Sequence, residues 1–140
     1  MSEEPERPKK AWPWIGLPLF ILAFALFDHF MKGRPATASA TAFVTAAREG
    51  RGPDVYAHST ADLARRLQAT PREATLTRMY ELVRTSQKID GGYTGEWTHG
   101  CINGQIGNER VWFLLVKERG NWLVADLRPD PRPSECNFDE

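Results

Sequence analysis

The strongest structural pattern in this chain is a pair of apolar segments, Arg110-Val-Trp-Phe-Leu-Leu-Val-Lys117 and Trp122-Leu-Val-Ala-Asp-Leu-Arg128. The residues between them are Glu-Arg-Gly-Asn, and Gly120 tolerates the positive φ that a tight turn requires. Both segments are rich in β-branched and aromatic residues, which favour strands. The sequence therefore predicts an antiparallel β-hairpin here.

The first strand of this hairpin is apolar on both faces. Side chains at alternate positions from Val111 to Leu115 face one side, and those from Trp112 to Val116 face the other. A strand with two apolar faces needs a cover on each of them. We expect helices to cover one face, and a dimer partner, another protein or the C-terminal tail to cover the other.

Upstream of the hairpin, alternating side chains from Tyr93 to Cys101 predict an extended segment. Asn103-Gly104 is a preferred turn dipeptide and predicts a tight turn between Ile102 and Gln105. Prolines at positions 129, 131 and 133 end the sheet, because proline donates no ladder hydrogen bond.

The earlier part of the domain has the spacing and capping signals of helices. Apolar residues predict a first helix over residues 39–49, followed by a single turn over residues 53–58. Ser59-Thr-Ala-Asp62 resembles a capping box, and Thr70-Pro-Arg-Glu73 predicts the start of a longer helix that Gly91-Gly92 ends. About three helices packed on a curved antiparallel sheet are therefore expected.

An uncharged apolar stretch runs from Trp12 to Phe27 near the start of the chain. At ~1.5 Å per residue it reaches only about 24 Å, so a helix that crosses a core of about 30 Å would extend to Met31. The predicted fold class is α+β with an N-terminal transmembrane helix. The predicted layout is an N-terminal tail 1–11, the transmembrane helix 12–31, a linker 32–40, a domain 41–130 and a C-terminal tail 131–140.

A cleaved signal peptide is the main alternative, with Ala36-Thr-Ala38 or Ala38-Ser-Ala40 as its cleavage site, and a helix buried in a soluble domain is a second. Both cleavage sites lie roughly ten residues beyond Phe27, which favours an uncleaved signal-anchor. Slightly more basic residues precede the stretch than follow it, which favours an extracytoplasmic domain. We expect a single-pass membrane protein with the lipid bilayer as a partner.

Composition excludes several classes of function. Eighteen basic and eighteen acidic residues give a formal net charge of zero, and the basic residues form no stripe, so we expect no nucleic-acid partner. The two cysteines form no CxxC pair, and no histidine pair has the spacing of zinc ligands. No metal site and no cofactor are therefore predicted.

The predicted order of elements resembles the nuclear transport factor 2-like (cystatin-like cone) superfamily, in its short membrane-anchored bacterial form. The resemblance rests on two clusters: Ala42-Phe43-Val44-x-x-Ala47-x-x-Gly50, followed by Val55-Tyr56-Ala57-x-Ser59 and Leu63, and Phe113-x-Leu115-Val116-Lys117-x-x-Gly120-x-Trp122-x-Val124-x-Asp126-Leu127. It implies a bent sheet that forms a cone with three helices. The superfamily includes isomerases, dehydratases, secretion-system scaffolds and assembly modules, so the resemblance assigns no activity.

A pocket in such a cone would use titratable groups on the concave face. Asp126 is the first candidate because it alternates with Trp122 and Val124 on its strand. The other pocket candidates are Trp97 and His99 on another strand, and Tyr56 and His58 at the cone mouth. No spacing forces these groups together, so no catalytic residue is assigned and the expectation leans away from an enzyme.

Cys101 and Cys136 have two interpretations. In an oxidising compartment they would form a disulfide that holds the proline-rich tail on the sheet, and otherwise they are two inert thiols. From these features we expect a membrane-anchored interaction or assembly module of the cell envelope that binds a protein partner or a second copy of itself. The alternative is a small-ligand-binding or enzymatic cone-fold domain tethered to the membrane.

Overall fold

A computed structural model describes residues 19–24, 26–27 and 31–138 of the chain. The chain divides into two compact units, Met1–Met31 and Lys32–Glu140. In the first unit, residues 19–24 and 26–27 are helical. Seven large apolar side chains of this helical segment are between 56% and 69% exposed, namely Leu19, Phe20, Ile21, Leu22, Phe24, Leu26 and Phe27.

The prediction of a transmembrane helix over residues 12–31 is wrong. Within the described ranges, every helix is too short or too polar to cross a membrane. A crossing needs about 20 consecutive, predominantly apolar helical residues, and none of the described helices has them. The prediction of a single-pass, signal-anchored membrane protein is wrong for the same reason, and the prediction of an extracytoplasmic domain, which was built on that helix, loses this basis. The tail 1–11, Trp12, Asp28 and His29 lie outside the described residues.

The second unit is α+β and places its helices before its strands. The helices are α1 (Arg34–Arg48), α2 (Gly52–Ala57), α3 (Ala61–Gln68) and α4 (Ala74–Thr85), and the strands are β1 (Asp90–Gly95), β2 (His99–Ile106), β3 (Glu109–Glu118) and β4 (Asn121–Pro129). The strands form one antiparallel sheet in the order β1-β2-β3-β4. A 3₁₀ turn at Ser134–Cys136 follows the sheet. The unit thus has four α-helices where about three were predicted.

The hairpin of β3 and β4 is confirmed. Lys117 pairs with Trp122, and Glu118 pairs with Asn121. The two residues between them, Arg119 and Gly120, have φ values of 52° and 83°, which is the backbone of a tight hairpin turn with the twist of the strands. The local turn signal therefore predicted the position of this hairpin.

The turn predicted at Asn103-Gly104 is wrong, because both residues lie inside β2. Gly104 pairs with Val111, and a Cβ at Gly104 would lie 3.0 Å from side-chain atoms of Ile89 and Phe113. Because Gly104 has no side chain, Ile89 and Phe113 can pack close to the strand. The chain reverses instead at residues 96–98 and at residues 107–108.

Two helix starts differ from the prediction. Helix α1 begins at Arg34, with proline in its first turn, and so includes residues assigned to the linker. Helix α4 begins at Ala74 without a side-chain cap, because the Glu73 carboxylate accepts a hydrogen bond from Arg66 Nε at 2.7 Å. The cap of α3 is Thr60, whose hydroxyl accepts from the Leu63 amide at 3.2 Å.

The sheet has a core on each face. The helix-side core is the larger and includes Phe43, Val55, Leu63, Leu67, Leu76, Met79, Val83, Val111, Phe113, Leu115, Val124 and Leu127. The tail-side core consists of Cys101, Trp112, Leu114 and Cys136, with Ala125 and Phe138 packed against it. The C-terminal tail thus covers the second apolar face of β3, and a disulfide joins Cys101 to Cys136.

Candidate functional site

Asp126 does not share a face with Val124, because the strand is irregular between them. Leu114 pairs with Asp126 while the next residue, Leu115, pairs with Val124, so Ala125 is an extra residue in β4. Such a bulge reverses the alternation of side chains. Val124 belongs to the helix-side core, whereas Asp126 lies beside Leu114 of the tail-side core.

The Asp126 carboxylate is held by three donors. Its Oδ1 accepts hydrogen bonds from the Leu127 amide at 2.9 Å and from Arg66 Nη1 at 3.2 Å. Its Oδ2 accepts from Arg128 Nε at 2.8 Å. The side chain is only 12% exposed. A carboxylate with this many donors is a structural crosslink between α3 and β4, and its lone pairs are poorly placed to accept a substrate proton.

Two further carboxylates extend this network. Glu73 pairs with Arg66, and Glu135 of the tail pairs with Arg128 at 2.7 Å. The pKa of Arg66 is raised, chiefly by its hydrogen bond to Glu73. The pKa of Arg128 is also raised, chiefly by its hydrogen bond to Asp126. Acidic and basic side chains therefore alternate along one network that joins the start of α4, α3, β4 and the tail. Their order is Glu73, Arg66, Asp126, Arg128 and Glu135.

Trp97 and His99 lie at the turn between β1 and β2, apart from Asp126. Trp97 is 45% exposed. The exposed His99 ring lies against Phe138 of the tail, with ring centroids 5.5 Å apart, and its Nδ1 is 3.1 Å from the Thr98 hydroxyl. These contacts place the imidazole at the end of the tail-side core. Among the described residues, no carboxylate forms an ion pair with it.

Tyr56 and His58 lie at the helix layer. Tyr56 packs partly buried against the helix-side core. The carbonyl of His58 accepts a hydrogen bond from the Val124 amide at 2.8 Å, so this segment pairs with the outer edge of β4. The five predicted pocket residues thus occupy three separate places and do not form one site.

A concave site lies between α1 and the start of β1. Its volume is about 300 Å³, and we call it the α1–β1 cleft. It is lined by Thr37, Ala40, Thr41, Val44, Thr45, Arg48, Gln87, Lys88, Ile89, Gly91, Ile102 and Phe113. Its apolar floor comes from the helix-side core and its rim carries hydroxyl, amide and cationic groups, which is typical of small-molecule sites.

Sequence reasoning missed this cleft, although part of its signal was present. Thr37, Thr41 and Thr45 recur every four residues and so lie on one face of α1. The prediction considered only the apolar face of this helix. The other wall, residues 87–91, is irregular chain that leads into β1, and no sequence pattern places it beside α1.

A second groove of about 590 Å³ lies between α1, α2 and the β3–β4 turn. His58 and Trp122 are among its lining residues, and the Ser39 hydroxyl donates to the Trp122 carbonyl at 2.6 Å. His58 is the only titratable side chain among the residues that line it. This groove offers fewer groups that could orient a ligand than the α1–β1 cleft does.

No group of three or more histidine, cysteine, aspartate or glutamate side chains is arranged to hold a metal ion in the ranges that the structure describes. Comparison of the chain with protein-family models, curated proteins and solved structures found no match. The resemblance to the nuclear transport factor 2-like superfamily stays a prediction.

Proposed function

We propose that the unit from Lys32 onward is a small-ligand-binding domain and that the α1–β1 cleft is its binding site. The observation that carries the proposal is the cleft itself, with about 300 Å³ of space, an apolar floor and a polar rim. Ligand sites in proteins start at about this volume and combine an apolar lining with a few polar groups.

Two further observations support binding without catalysis. The apolar sheet face that suggested a protein-docking surface is covered by the C-terminal tail. The best catalytic candidate, Asp126, lies outside the residues that line the cleft and is paired with two arginines. The chemistry available in the cleft is therefore recognition by hydroxyl, amide and cationic groups.

A nuclear magnetic resonance titration of the full chain tests the proposal. We use 1-octanol, a neutral amphipathic probe, and expect saturable shifts of the amide signals of Thr41, Gly91 and Ile102, which line the cleft. A Thr41→Trp variant should lose these shifts because indole fills the cleft from its rim. A Thr75→Trp variant, which changes an exposed position of α4, is the matched control. Equal shifts in both variants, or no shifts in the wild type, would contradict the proposal.

A second candidate function is binding of a second copy through the helical residues 19–24 and 26–27. The seven exposed apolar side chains of that segment favour it, since monomers rarely expose contiguous apolar patches. Sedimentation velocity should show concentration-dependent self-association of the full chain, and a Phe20→Lys, Phe24→Lys variant should be monomeric. Trp97→Lys is the control. A wild-type chain that stays monomeric would exclude this candidate.

A further inference from the structure

The α1–β1 cleft has an uneven distribution of charge. Two of its lining residues, Arg48 and Lys88, are cationic, and none of its lining residues is acidic. The chain as a whole has a formal net charge of zero, so this is a local excess. Lys88 Nζ lies 3.4 Å from Asp90, but these side chains are 80% and 70% exposed, and such pairs neutralise each other weakly. An anion is the complementary ligand group.

Arg48 is held in a geometry that leaves its terminal nitrogens available. Its Nε donates to the Ser86 hydroxyl at 3.2 Å, and that buried hydroxyl in turn donates to the Val83 carbonyl at 2.7 Å. Neither Nη atom of Arg48 has a hydrogen bond or ion pair with another described residue. The planar fork of arginine fits the two oxygens of a carboxylate.

The two ends of the cleft along α1 differ in charge. Thr37 and Arg48 are both lining residues, and at ~1.5 Å per residue they are separated by about 16 Å along the helix axis. The cationic end is therefore the end at the last turn of α1, where Arg48 also offsets the partial negative charge of the helix terminus. The apolar floor, which includes Val44, Ile102 and Phe113, extends from it.

The volume limits the size of the ligand. About 300 Å³ corresponds to roughly ten water-sized groups at ~30 Å³ each. The hydroxyls of Thr37, Thr41 and Thr45 make no hydrogen bonds within the described chain and line the rim beside this space. A ligand with about ten non-hydrogen atoms and one charged end fits these dimensions.

We propose that the α1–β1 cleft binds an amphipathic monocarboxylate, with the carboxylate on the Arg48 fork and the apolar body against Val44, Ile102 and Phe113. This inference rests on the proposed function, because it names the ligand class of the same cleft. Lys88 adds a second, more mobile positive charge to the site of the head group. Small hydrophilic anions such as acetate bury little of the apolar floor and so should bind more weakly.

Calorimetric titration of the full chain with octanoate and with 1-octanol tests this inference. We expect octanoate to bind the wild type about tenfold more tightly than octanol, since a charge-assisted hydrogen bond contributes about that factor. Arg48→Gln should remove most of this difference, with Lys88 keeping the remainder, and should leave octanol affinity within about twofold of the wild type, because the apolar floor is unchanged. Arg65→Gln, at an exposed position of α3, is the matched control and should change neither affinity.

The outcomes separate the two proposals. Equal affinity for octanol and octanoate would overturn the monocarboxylate inference and leave the ligand-binding function supported. Octanoate binding that is insensitive to Arg48→Gln would also overturn the inference, because the head group would then lie elsewhere. Binding of neither probe would overturn both proposals.

Discussion

At the scale of single residues, Asp126 shows how one carboxylate joins distant parts of the chain. Its donors come from the β4 backbone, from Arg66 of α3 and from Arg128 of β4. Glu73 and Glu135 then pair with these two arginines. These contacts give the Asp126 carboxylate a structural role in joining α3 to β4.

Asp126→Asn should lower the free energy of unfolding by about 2–4 kcal/mol, because two arginines then face a neutral amide in a largely buried position. Urea denaturation at pH 7 measures the change. Asp54→Asn is the matched control, since Asp54 pairs with Arg51 at the exposed surface, and it should cost less than about 1 kcal/mol. Equal losses in both variants would show that the buried network adds nothing.

At the scale of elements, the tail is attached to β4 by a charge pair and to β2 by the disulfide. Arg128 donates to Glu135, Trp112 Nε1 donates to the Asp130 carboxylate at 2.9 Å, and Arg132 lies over the Trp112 ring at 5.4 Å. These polar contacts lie beside the apolar contacts of the tail-side core. Together these contacts fix the position of the tail on the sheet.

Acid should weaken this attachment. The hydrogen bond from Arg128 holds the pKa of Glu135 below its ordinary value of 4.5. A carboxyl whose pKa is lower in the folded state stabilises that state above pH 4.5, and the contribution disappears as the pH falls through the lowered pKa. A carbon-detected pH titration of Glu135 should show the lowered pKa, and Arg128→Gln should raise it toward the ordinary value. An unchanged pKa in that variant would contradict the pairing.

At the scale of the whole molecule, the C-terminal tail completes a second core. Cys101 and Cys136 are separated by 35 residues in sequence, and their bond lies in the same cluster as Trp112 and Leu114. The tail therefore acts as a layer of the fold. The helices, the sheet and the tail form three layers in the second unit, with the sheet in the middle.

Cys136→Ser should lower the free energy of unfolding by about 2–4 kcal/mol, because the unfolded chain regains the freedom that the crosslink removes. It should also shift the fluorescence of Trp112 to longer wavelength as the tail leaves that ring. Asn137→Ser, next to the bridge, is the control for changes in the tail itself. If Cys136→Ser kept both the stability and the emission of the wild type, the tail would not be a structural layer.

How much of the fold follows from sequence depends on the range of the interactions involved. Local signals were sufficient for the β3–β4 hairpin, where alternation and Gly120 act within a few residues. They failed at Asn103-Gly104, where packing of Phe113 on Gly104 overrides a turn preference. They also failed for the transmembrane helix, since none of the described helices is long and apolar enough to cross a membrane.

The sequence by itself determined that the second unit has helices followed by an antiparallel meander, and that β3 needs a cover on both faces. Only the tertiary structure decided that the tail supplies this cover, that the extra residue Ala125 places Asp126 on the tail side, and that α1 and residues 87–91 form the walls of a cleft. The physical reason is that strand and helix propensities act between near neighbours. Bulges, covers and clefts arise where segments far apart in sequence pack together.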